Sequence, residues 1–287
     1  MTIPAWLSGF VDDASMFPPG NLPLDRAVAE HREHRVSEYA DLVGGFVVSD
    51  LKLPDLIAEL GEHPENPLAI NVVVTGGAGA IEPAVRWATR APSTRLRTLE
   101  IALRDEDDLA HNARRVLAAR DQLAADLEEV VVHVEPPRLR GAPTAGWLSA
   151  LDELAAGDVR LKLRTGGVDQ DAFPTCGELA DAIEAALDRE LPFKCTAGLH
   201  HAIRQADAAT GITHHGFLNV LLATRACLDG ADGSEVLAEE SAAALLDGLD
   251  PEALDRTRRW FTSFGCCAVL EPHDDLVELG LVEQGPA

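Results

Sequence analysis

Lysine on the inner face of a β-strand is costly, and this 287-residue chain has two candidates for it. Lys162 lies in VRLKLRTGG (159–167) and Lys194 in LPFKCTAG (191–198), each alternating with apolar neighbours. A buried ammonium gives up hydration worth several kcal/mol, so it must pair with a carboxylate or lose its proton. With Arg164 and Lys194 close by, Lys162 is expected to have a lowered pKa and a neutral amine, a nucleophile toward carbonyl carbon. Glu100 in LRTLEIALR (96–104), and His133 and Glu135 in EVVVHVEPP (129–137), stand on the preceding strands as proton carriers. The predicted roles are nucleophile for Lys162, proton shuttle for His133, and supporting acid or base for Glu100 and Glu135. Lys194, Arg164, Thr165 and Thr196, with His200, Asp13 and Thr75 at neighbouring strand ends, form the expected substrate-binding set. The cations among them point to a small anionic substrate.

These side chains converge only if their strands run parallel around a shared interior. Strands are predicted at 9–14, 42–50, 68–77, 96–104, 129–137, 159–167, 191–198 and 264–271. Amphipathic stretches lie between them, such as 24–42, 53–63 and 107–127. Strand–helix–strand order repeated this often implies parallel strands joined by crossovers. In strands four to seven one face is apolar and the other polar or charged: Leu161 and Leu163 oppose Lys162 and Arg164, and Val132 and Val134 oppose His133 and Glu135. An interior strand of an open sheet is apolar on both faces. The prediction is therefore an α/β chain forming one (β/α)8 TIM-type barrel domain over 1–287, with extra helices between strands seven and eight. An open doubly wound parallel sheet is the alternative. Asp12 and Asp13 end the first strand, and only one of them can face inward.

Glu100, His133 and Lys162 on strands four, five and six give a placement that resembles class I aldolases and type I dehydroquinases. Those are Schiff-base barrels with the reactive lysine on strand six. In the dehydroquinases a histidine on strand five and a glutamate on strand four assist it. The KxxTGG stretch starting at Lys162 is also similar to the lysine-bearing strands of deoxyribose-phosphate aldolases. The likeness is positional and covers these residues alone. It implies a lyase of aldolase or dehydratase type, acting on an anionic carbonyl compound through a lysine imine and needing no cofactor.

The same residues admit other readings. Paired with Glu135 and Glu100 across the barrel, the lysines form a structural network. A metal-dependent hydrolase or isomerase would take His133, Glu135, His200 and a strand-one aspartate as ligands for a divalent metal, Zn²⁺ or Mn²⁺, against the repulsion of two lysines. A barrel that binds a ligand without catalysis is a third reading. The turns TGGAGA (75–80), RTGG (164–167) and TAGLHH (196–201), with Arg204 nearby, could offer backbone N–H groups to an anion, and none matches a nucleotide motif. Cys266 and Cys267 read as buried and inert, and His31, His34, His63 and His111 as solvated.

Composition narrows the partners. The chain has 48 Asp+Glu against 24 Lys+Arg, a formal charge of −24, which disfavours nucleic acid and anionic membrane surfaces. Five cysteines without a CxxC pair, and no visible signal segment, predict a cytoplasmic protein with reduced thiols. Barrels often pair through their outer helices, so a homo-oligomer is among the expectations.

Overall fold

Eight parallel strands close on themselves in the computed structural model, which describes residues 2–62, 65–104, 106–208 and 210–283. The strands are β1 (Val11–Asp13), β2 (Val43–Ser49), β3 (Leu68–Val74) and β4 (Thr94–Ala102). They continue with β5 (Val131–Glu135), β6 (Arg160–Arg164), β7 (Phe193–Thr196) and β8 (Phe261–Cys266). Because β1 is hydrogen-bonded to β2 on one edge and β8 on the other, the sheet is a (β/α)8 barrel and not an open sheet.

The alternation predicted from sequence sets the layers. Leu99, Ile101, Val132, Val134, Leu161, Leu163, Phe193 and Cys195 are buried between the strands and the surrounding helices. The opposite parity (Glu100, His133, Lys162 and Lys194) is buried inside the barrel. Helices α1 (Leu24–His34), α2 (Leu53–Leu60), α3 (Ile81–Arg90), α4 (Leu109–Asp121), α5 (Ala145–Ala155) and α6 (Cys176–Leu187) follow the first six strands. The start of α6 is fixed by a capping box in which Thr175 and Glu178 satisfy each other's backbone N–H groups. Among the described residues four helices separate β7 from β8: α7 (Phe217–Leu228), α8 (Gly233–Ala238), α9 (Ala242–Leu246) and α10 (Pro251–Thr257). Helix α11 (Leu270–Glu278) follows β8. Among the described residues no helix is long and apolar enough to cross a membrane.

Several boundaries differ from expectation. The first helix stops at His34, where Arg35 folds back to donate to the Val43 carbonyl at 2.6 Å. Among the extra helices between strands seven and eight, α8 and α9 are separate because Ser241 caps a new helix by accepting from the Ala244 N–H. The eighth strand spans 261–266, earlier than the predicted 264–271. Phe261 stacks on Phe193 at 5.4 Å and Phe264 on Phe217 at 5.0 Å, and the chain turns into α11 soon after Cys266. Arg258 secures the closure from below. Its guanidinium lies 3.9 Å above the Phe10 ring and donates to the carbonyls of Trp6 at 2.8 Å and Phe261 at 2.7 Å.

Candidate active site

The buried inner face carries a chain of alternating charges. Lys194 Nζ lies 2.6 Å from Asp12 Oδ2 and 2.7 Å from Glu100 Oε1. The other oxygen of Glu100 is 2.9 Å from Lys162 Nζ, which also lies 3.2 Å from Glu135 Oε2. Arg164 closes the series, with Nε and Nη2 each 2.8 Å from Glu135 Oε1. Asp12, Glu100 and Glu135 thus balance Lys194, Lys162 and Arg164, so the network is neutral where the sequence suggested a cationic pocket. Asp12 is further held by the Gly45 N–H at 2.9 Å and the Ser263 hydroxyl at 2.8 Å. Glycine at position 44 is needed here, since a Cβ would collide with the Asp12 carboxylate.

Pairing reverses the expected protonation of the lysines. Burial favours the neutral amine, yet Asp12 and Glu100 overcome it and raise the Lys194 pKa above its usual value. Burial likewise disfavours the Lys162 ammonium, and Glu100 and Glu135 outweigh it, again raising the pKa. Glu100 is pulled down despite burial because both lysines face it, and Asp12 is lowered despite burial because Lys194 does. The lowered lysine pKa predicted from nearby cations is therefore corrected: shared carboxylates at hydrogen-bond distance dominate like-charge repulsion. The two lysines are not equivalent, for Lys194 has both contacts under 2.8 Å, whereas the contact of Lys162 with Glu135 stretches to 3.2 Å.

Above this network, at the carboxyl ends of the strands, lies a cavity of about 350 Å³. Lys162, Lys194, Glu100 and Glu135 reach its floor, and Arg104, Arg164, Thr75, Thr196, His200 and Cys267 line its sides. Thr75 points its hydroxyl at Asp50, 2.7 Å away. Arg104 is exposed and has no ion pair among the described residues. Gly166 and Gly198 let the ends of β6 and β7 meet, since a Cβ at Gly198 would stand 3.0 Å from the Gly166 Cα. Close packing thus explains glycine in these two turns.

A histidine relay not foreseen as a unit stands at the mouth. His200 Nδ1 is 2.7 Å from Glu271 Oε2, and its Nε2 is 3.7 Å from Cys267 Sγ. Burial disfavours the imidazolium, but hydrogen bonds to Cys266, Cys267 and Glu271 push its pKa up to about 12. His200, Cys266 and Glu271 also form the group of possible metal-ligating atoms among the described residues, all within 4.8 Å of one another.

Several residues stand elsewhere than predicted. His133 lies in the same strand as Glu135 but lines a separate cavity at the amino end, and not the cavity over Lys162. This separation also splits the metal set of His133, Glu135, His200 and a strand-one aspartate, and Asp12 is bonded to Lys194 instead. Asp13 turns outward to His31, 2.9 Å away, leaving Asp12 as the inward member and making His31 buried and not solvated. Thr165 is fully buried and donates to the Thr196 carbonyl at 3.2 Å, tying β6 to β7 without reaching the cavity. Arg204 stands near His215 and Glu240, away from the upper cavity. His63 lies outside the described residues. No protein-family model and no curated protein matches this chain.

Proposed function

We propose that the upper cavity is the active site of a Schiff-base lyase, of aldolase or dehydratase type, for a small anionic carbonyl compound. The observation that carries this reading is Lys162 at the cavity floor between two carboxylates, Glu100 at 2.9 Å and Glu135 at 3.2 Å, of which Glu135 is the one able to take its proton. A second buried ammonium, Lys194, shares Glu100 and keeps that carboxylate charged. At rest Lys162 is an ammonium and does not attack. An anionic substrate recruits Arg164 and Arg104 by charge-assisted hydrogen bonds. Arg164 then leaves Glu135, which becomes free to take the proton of Lys162.

The neutral amine adds to the carbonyl carbon, the C=O π electrons move to oxygen, and the carbinolamine loses water to give the imine. Imidazolium His200, backed by Glu271, is the group at the mouth that can protonate the departing oxygen, the role sequence reasoning gave to His133. The test is borohydride reduction in the presence of small oxo-acids and sugar phosphates, read by intact mass. A covalent increment with one of these compounds, lost in Lys162→Ala, is the expected result. No increment with any compound, or full activity in Lys162→Ala, overturns the proposal.

A further inference from the structure

The amino end of the barrel holds a second cavity, of about 290 Å³, with the opposite electrostatic character. Arg95, Arg97 and Arg160 line it, and none has an ion pair among the described residues. In a chain of net charge −24, these three guanidinium groups gather at one cavity with no carboxylate at ion-pair distance among the described residues. The acids lining the same space are Glu129, also without an ion pair among the described residues, and Asp12, already held by Lys194.

Unpartnered buried polar atoms point into the same place. Both ring nitrogens of His133, which is 2 % exposed, and the Thr98 hydroxyl have no hydrogen-bond partner. More than nine in ten buried polar groups are partnered in folded proteins, so an unpartnered imidazole facing a cavity calls for a partner in that cavity, a water or an ion. The register explains the cluster: Glu100 pairs with His133 and His133 with Arg160, which sets Arg160 at the start of β6 below the charged network.

We infer that this lower cavity is a binding site for a phosphoryl group, separate from the lysine cavity above it. Guanidinium forks match phosphate oxygens two at a time, and three of them favour a dianion over a single carboxylate. The Thr98 hydroxyl and one N–H of neutral His133 supply further donors to its oxygens. Free phosphate and a phosphorylated small molecule share this chemistry, and the site has room for either.

The test is calorimetric titration of the full chain with inorganic phosphate and with glycerol 3-phosphate, at ionic strength fixed with chloride. Saturable binding is expected, weakened at least about tenfold in Arg95→Gln/Arg97→Gln, whose folding is checked by circular dichroism. Both substitutions are on side chains that reach the surface or its edge. Phosphate is also expected to move the ¹⁵N signals of His133 and to bind unchanged in Arg164→Gln. Tighter binding of glycerol 3-phosphate identifies a phosphorylated ligand, and equal or weaker binding identifies free phosphate; either supports the site. No saturable heat, equal affinity in the double variant, or loss of binding in Arg164→Gln overturns it.

Discussion

The two ends of this barrel treat charge in opposite ways. From mid-height to the carboxyl end Asp12, Glu100 and Glu135 cancel Lys194, Lys162 and Arg164 through contacts of 2.6 to 3.2 Å. At the amino end three arginines and a neutral histidine face a cavity without such partners. A buried ion that is fully paired is woven into stability, and removing one partner strands the other. A cation left unpaired gives the fold little and is available to a ligand. The difference separates charges that hold the barrel from charges that await an anion.

The largest effect separating the two ends is expected at Lys194. Lys194→Met leaves Asp12 and Glu100 without their shared ammonium and should destabilise the protein by about 3–5 kcal/mol, measured by urea denaturation at pH 7. Adding Asp12→Asn should recover part of that loss. If Lys194→Met is neutral, the network is not paired as described.

The next effect is pH-dependent and belongs to the lower end. Burial, with Lys194 next in weight, lowers the His133 pKa to about 3 from 6.5. Its contribution to stability is therefore complete above pH 6.5 and is lost progressively as pH falls toward 3, because the unfolded chain binds the proton first. Between pH 6.5 and 5 this amounts to about 2 kcal/mol. His133→Gln should flatten the stability profile in that interval, and an unchanged profile would show that His133 titrates freely. The smallest effect is Arg160→Met, expected within about 0.5 kcal/mol of the parent in the absence of phosphate, since no ion pair is broken. A loss as large as that of Lys194→Met would erase the contrast between the ends.

Much of the fold was legible because strands four to seven alternate between an apolar and a polar face. Leu161 and Leu163 against Lys162 and Arg164 can only describe a strand with an apolar outside and a charged inside. The candidate site was legible as a set of strands, and the height of each residue along the barrel axis was not. His133 and Glu135 share a parity yet face different cavities, because two residues along a tilted strand change the layer. Asp12 and Asp13 could not be told apart by alternation alone. The buried His31 beside Asp13 decides between them, and it comes from α1, where its partner has no sequence signal. The lysine protonation was not legible, since like charges are visible in sequence, whereas a carboxylate shared across the barrel depends on closure.

Reductive trapping followed by peptide mapping tests the central distinction between the accessible and the locked lysine most directly. The protein is incubated with the reactive carbonyl compound, reduced with borohydride, digested and sequenced by mass spectrometry. The account predicts the adduct on Lys162, with Lys194 unmodified in the same digest. An adduct on Lys194, or none on either lysine, would contradict it.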